Sequence, residues 1–270
     1  MKGRCVICGT LGKLTRDHVP PRGTVPPLPI EIRRLTALAG GTTPSEPKTR
    51  TGYQAPTFPS LCLRCNVERL GTQYDPELIR FANGLAAWAR TAYRLGLTVP
   101  DMASITLKPS AVARAVIGHL LAAEERKDPF GELSGGTLVE AMRDYFLATS
   151  AINPAFRIFV WPYLGRDSTI ARGFGLARVL GDTHGAIVGD ILKFFPVAFW
   201  VVGSAPADLV FPFTELSLTI DAAMSVEISL KNVPPARWPE LPGSSEVVVM
   251  NGLRTHHATA VARPSKRDAG

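Results

Sequence analysis

Apolar side chains recur along this chain in two rhythms. After Cys65, the residues Leu78, Phe81, Leu85, Trp88 and Ala92 fall at three- and four-residue intervals, with Arg80, Arg90 and Arg94 elsewhere on the wheel. That spacing lines one face of an α-helix. Pro76 suits a helix start, so a brief break is expected near Gly71. Two more amphipathic helices are predicted at about 109–126 and 135–148. Beyond them the apolar runs turn short or alternating: Phe156 to Tyr163, Thr169 to Leu180, Ala186 to Ile191, Val197 to Val202, Leu216 to Ile220, Met224 to Leu230 and Val247 to Met250. Met224, Val226, Ile228 and Leu230 alternate with Ser225, Glu227 and Ser229, as in a half-buried strand. Helices followed by a series of strands predict an α+β fold with a mostly antiparallel sheet.

The N-terminal pattern is more compressed. Gly9 and Gly12 supply a turn, and Lys13 to Val19 can form a strand. Val19-Pro20-Pro21 ends it, because proline cannot continue a central strand. Residues 22–60, rich in proline and glycine, read as a basic insertion holding Arg22, Arg33, Arg34, Lys48 and Arg50, with a short helical piece near Ile30 to Ala39. Pro100 follows a helix end, which places a boundary near Leu97 to Ser104. The expected layout is a module at 1–97, an α+β domain at 98–255 with a regulatory or assembly role, and a polar basic tail at 256–270 that frays.

Charge separates the two halves. The first 100 residues carry 14 Lys+Arg against 6 Asp+Glu, and the remaining 170 carry 16 against 17. The net charge of +7 therefore resides in the N-terminal part, which favours a polyanionic partner there. No run approaches the roughly 18 apolar residues of a membrane span. The most apolar stretch, Phe194 to Val202, contains Pro196 and reads as a buried strand. The polar start reaches Cys5 at once, so no export signal is expected and the cytoplasm is the expected compartment.

All four cysteines fall in two CxxC pairs, Cys5-Val6-Ile7-Cys8 and Cys62-Leu63-Arg64-Cys65. A two-residue spacer lets both thiolates of a pair meet one ion, and two pairs complete a tetrahedral Cys₄ zinc site. Such a site is closed, so its role is structural. Between the pairs lies Leu14-Thr15-Arg16-Asp17-His18-Val19-Pro20-Pro21, and Asn66 follows the last cysteine directly.

In these motifs the chain resembles the HNH, or ββα-metal, endonucleases, and most closely the zinc-stapled branch that includes phage endonuclease VII. The resemblance covers residues 3–82 and extends to the acidic stretch Tyr74-Asp75-Pro76-Glu77. It implies a treble-clef-like, zinc-stapled ββα-metal module. It also implies a phosphodiester hydrolase in which Asp17 and Asn66 hold a catalytic Mg²⁺ or Mn²⁺ and His18 is the general base. The chemistry agrees: these ions favour oxygen ligands and keep open positions, and a bound ion steadies the departing 3′-oxygen. Arg69 occupies a position where many family members carry lysine, so Arg69, Arg16 and Arg22 are the candidate phosphate contacts. Asp75 and Glu77 stand as candidates for an outer-shell or second metal ligand, or as ordinary helix N-terminal acids. The implied partner is nucleic acid, with DNA the expected one.

Two rivals keep their place. One is a non-catalytic, zinc-stapled nucleic-acid-binding module. The other is a defence effector whose C-terminal half senses a ligand, a protein partner or a second copy and gates the nuclease. Among the other histidines, His119 reads as a packed or surface helix residue and not a catalytic one, His184 as a turn residue, while His256 and His257 fall in the tail. Gly173-Phe174-Gly175 lacks dinucleotide-loop spacing and reads as a strand irregularity.

Overall fold

The computed structural model describes residues 1–33, 50–95, 102–124, 126, 128–149, 154–180, 183–205, 211–230, 233–240, 246–249 and 255–260. Its strands are β1 (Lys2–Arg4), β2 (Leu11–His18), β3 (Pro29–Arg33), β4 (Arg50–Tyr53), β5 (Thr57–Cys62), β6 (Met102–Leu107), β7 (Arg157–Pro162), β8 (Ser168–Leu180), β9 (Thr183–Phe194), β10 (Val197–Ser204), β11 (Thr214–Glu215), β12 (Met224–Ser229), β13 (Glu246–Val249) and β14 (Thr255–Ala260). The α-helices are α1 (Asp75–Leu95), α2 (Pro109–Ala122) and α3 (Thr137–Leu147).

Helix α2 has no polar face to show to water. Its sequence, PSAVARAVIGHLLA, is apolar nearly all round, and every one of its residues is buried. A helix of that composition belongs inside a core rather than on its surface. It is therefore a central helix and not the amphipathic one expected at 109–126. Helices α1 and α3 and the N-terminal strands pack around it. Gly118 makes the packing possible. A Cβ at this position would come within 2.7 Å of both Leu70 Cδ1 and Phe146 Cε2. Gly118→Ala is expected to cost about 1–3 kcal/mol, the usual range for overpacking, and a lowered thermal midpoint would register it.

Every pairing among the described strands is antiparallel. The protein is thus mixed α+β with antiparallel sheets. Strands β1, β2 and β5 form a small sheet. A nine-stranded sheet runs β11-β7-β10-β9-β8-β14-β3-β4, with β13 also paired to β8, and β6 pairs with β12 alone. One face of the large sheet joins the core around α2. The other carries a separate aromatic cluster including Phe159, Trp161, Phe174, Trp200 and Trp238.

Several elements differ from the periodicity reading. The helical pattern after Cys65 does not break near Gly71: an 11-residue π-helical segment, Arg64–Tyr74, runs straight into α1. Ile30 lies in β3, not in a helix, and residues 34–39 lie outside the described ones. Phe194 to Val202 is two strands, β9 and β10, turning at Phe195-Pro196. Leu216 to Ile220 forms no strand, whereas the preceding Thr214–Glu215 pairs with β7. In the reading around Gly173, the strand irregularity is present: register shifts between Ala171 and Phe174, with Gly173 at φ +63°. His184 falls in β9.

The chain's two halves are laced together. The stretch read as an insertion contributes β3 and β4 to the large sheet, and Thr255–Ala260, read as frayed tail, forms β14 between β3 and β8. Residues 261–270 lie outside the described ones. Side chains from both sides of residue 97, from Cys5 to Ile228, share one hydrophobic core. A tail strand with backbone partners on both sides cannot be recognised from its own polar composition. Among the described residues, no helix is long and apolar enough to cross a membrane.

Candidate functional site

The four cysteines meet at one point. Cys5 and Cys8 flank the turn after β1, Cys62 ends β5 and Cys65 opens the π-helical segment. Their sulfurs all lie within 4.8 Å of one another, with Cys8 Sγ and Cys62 Sγ 3.7 Å apart. A tetrahedral ion with bonds of about 2.3 Å sets its sulfurs about 3.8 Å apart, so the cluster can hold a metal such as zinc. The thiols feel the crowding. A hydrogen bond from Cys65 pulls Cys5 down to about 5, while the same bond and burial push Cys65 far up. Burial raises Cys62 to about 11. Four such sulfurs can all be thiolates only when a cation shares their charge.

The cluster ties β2 and β5 to the π-helical segment, and this brings Asn66 against β2. Asn66 Nδ2 donates to Thr15 Oγ1 at 2.9 Å and to the Arg16 carbonyl at 3.2 Å. That carbonyl belongs to the peptide joining Arg16 to Asp17, so Asn66 and Asp17 are neighbours in space. Asn66 thereby braces the strand carrying the Asp-His pair.

Asp17 and His18 diverge. Strand β2 pairs with β5 through Asp17–Phe58 and His18–Thr57, after a register shift between Thr15 and Asp17. Successive side chains on a strand point to opposite faces. Asp17 turns inward and is 6% exposed, whereas His18 is only half-buried. Arg22, on the 3₁₀ turn Arg22–Thr24, donates to His18 Nε2 from Nε at 3.1 Å and from Nη2 at 3.0 Å. An arginine only donates, so Nε2 carries the lone pair and the proton of the neutral ring sits on Nδ1. Burial and the Arg22 charge together lower the His18 pKa, which keeps the ring neutral, the form able to accept a proton.

On the inner side lies a residue whose role the sequence did not disclose. His119, fully buried on α2, contacts Asp17 Oδ2 through Nδ1 at 2.8 Å and Asp75 Oδ1 through Nε2 at 2.9 Å. Burial alone would lower its pKa, but the two facing carboxylates outweigh burial and hold it at about 10. His119 is thus an imidazolium clamped between two aspartates, and both ring nitrogens donate. The available signal was a single histidine inside an otherwise apolar helix. Such a side chain must find partners in the core, but only the fold says which.

The remaining candidates divide. Arg16 and Arg22 are exposed beside the Asp-His pair. Arg69, expected at phosphate, instead donates to the Leu147 carbonyl at 3.0 Å, where it satisfies the unpaired C-terminal end of α3. Asp75 belongs to the His119 clamp. Glu77 binds Arg80 at 2.8 Å and accepts from the Lys108 backbone at 3.2 Å, just before α2. Compared with family models, curated proteins and solved structures, the chain matches none.

Proposed function

We propose that the protein is a metal-dependent endonuclease of the HNH type, acting on the phosphodiester bonds of nucleic acid, with DNA as the expected substrate. The observation that carries this reading is the convergence of Asn66 on the peptide preceding Asp17, with the neutral His18 on the next residue. In this reading the Cys₄ cluster holds structural zinc, and the small β1-β2-β5 sheet with the following helical segment is a treble-clef-like ββα-metal module.

Asp17 and Asn66 offer a carboxylate and an amide oxygen, which suit Mg²⁺ or Mn²⁺. When bound, such an ion relieves charge on the phosphate and on the leaving 3′-oxygen. The chain's own residues do the rest. His119 fixes one oxygen of Asp17, leaving the carboxylate in a single orientation. Asn66 is held through its amino group, so its oxygen is the end available to a ligand. His18 takes a proton from the attacking water at Nε2 once Arg22 leaves that nitrogen for a substrate phosphate. Arg22 thereby serves two partners in turn, and its planar fork suits the second.

His18→Ala should lower cleavage by about 10²–10⁴-fold, the usual contribution of a general base. Plasmid and oligonucleotide cleavage across several divalent metals is the measurement. Near-native turnover in this variant would rule out the mechanism, and binding without any cleavage would favour a non-catalytic nucleic-acid module. The lacing of the C-terminal strands to β3 also suits a gated enzyme, and that version requires cleavage that appears only with an added activator.

A further inference from the structure

Beside His18 the fold leaves a cleft of about 310 Å³, lined by His18, Thr51, Tyr53, Thr57, Phe58 and His256 among others. It lies where the end of β2 meets the outer strands β3 and β4 of the large sheet. Within it Phe58 is buried and set edge-on to His256 at 5.1 Å between ring centroids. Thr51 and Thr57 supply hydroxyls at the wall. Tyr53, also on its lining, is 52% exposed, so its ring is open to a ligand.

The rim is built with care. Gln54, next to Tyr53, holds a left-handed backbone at φ +70°, rare for a residue other than glycine. Its amide donates to the carbonyls of Arg22 and Val25. One residue thus ties the Tyr53 strand end to the turn that presents Arg22. An exposed aromatic ring and the proposed general base line one concavity, and Arg22 is joined to that base through His18 Nε2. The surrounding segment is the strongly basic part of the chain.

We propose that this cleft takes one unpaired nucleobase of the DNA strand being cut, stacked on Tyr53, with Arg22 on the adjoining phosphate. The inference rests on the nuclease reading above and adds the ligand: an unpaired base of a single-stranded segment rather than one stacked within continuous duplex. A base in a duplex is already stacked on both faces and paired along its edge, so it can enter a concave pocket only by extrusion. An unpaired base pays no such cost. Stacking tolerates any base because each has a π-face, so a structural preference is expected without a sequence preference.

The test uses the full-length protein without added magnesium or manganese, so that binding is read apart from cleavage. Fluorescence anisotropy compares a short labelled single strand, the same strand in a blunt duplex, and the same strand with its bases removed. The single strand should bind tightest. Tyr53→Ala should weaken it by roughly 5- to 100-fold, the range of base–aromatic stacking, and Tyr53→Phe should restore it. The duplex and the base-free strand should ignore both substitutions. Because Tyr53 is half exposed, its replacement spares the core. Duplex binding as tight as the single strand, or equal losses on all three probes in Tyr53→Ala, would overturn the proposal. If Tyr53-dependent preference for the single strand persists while no metal supports cleavage, the cleft stands and the nuclease reading falls.

Discussion

Cys65→Ser should release the metal and unfold the N-terminal part of the chain. Structural zinc in small modules contributes about 10–16 kcal/mol of apparent binding free energy, as much as the whole stability of an ordinary domain at about 5–15 kcal/mol. Here the sulfurs are set for an ion. Without one, burial and the neighbouring sulfurs push Cys62 and Cys65 up and keep those two thiols protonated. Serine removes the sulfur that meets Cys5 across the cluster, leaving three thiols around the ion. Damage will spread, because Cys5 and Cys65 belong to the same core as α1, α2 and the large sheet. Elemental analysis of the unaltered protein should give one zinc per chain. Circular dichroism of Cys65→Ser should show lost helix as well as lost N-terminal strand. A metal-free protein with unchanged melting in the variant would sink the assignment.

The second large effect is expected at His119. His119→Leu keeps the volume roughly constant but strands Asp17 and Asp75, whose carboxylates then face each other across an apolar side chain with no cation between them. Breaking one buried ion pair by removing a partner costs about 3–5 kcal/mol, and here two carboxylates lose the same partner. Denaturant unfolding should therefore place His119→Leu at or beyond that range. The double variant His119→Leu/Asp75→Asn should recover part of the loss, since it removes one of the stranded charges. Such recovery is the coupling that a double-mutant cycle detects. If His119→Leu is nearly neutral, the clamp is not holding Asp17. If cleavage falls in the double variant while stability returns, the clamp positions Asp17 for catalysis as well as for folding.

The difference between Asp17 and His18 shows how far a local pattern reaches. A strand was legible in Lys13 to Val19, and so was the proline break after it. Alternation along that strand then placed the two side chains on opposite faces. What each side chain meets there depends on residues far away. Asp17 meets His119, 102 positions along the chain, while His18 meets Arg22 only four positions away. The Arg22 contact is local, yet it depends on a turn that Gln54 secures from 32 positions on.

The sequence by itself pointed to the four-cysteine cluster, because the CxxC spacing within each pair is a local geometric requirement, while the fold brings the two pairs together. It also determined the mixed helix and strand content, since 3.6- and 2-residue periodicities record which face of an element is buried. Most of the C-terminal strands were recovered in this way. Tertiary structure alone decided the position of β14 and the hairpin β3-β4. These are polar or proline-containing segments, made into strands by backbone hydrogen bonds to neighbours and not by their own apolar pattern. It alone turned α2 into a central helix, because burial on every side takes partners from both halves of the chain. It alone set Arg69 against the C-terminal carbonyl of α3, a contact its spacing from Asn66 does not reveal. Periodicity reports that a face is covered; it carries no information about what covers it, and the candidate site is assembled from those coverings.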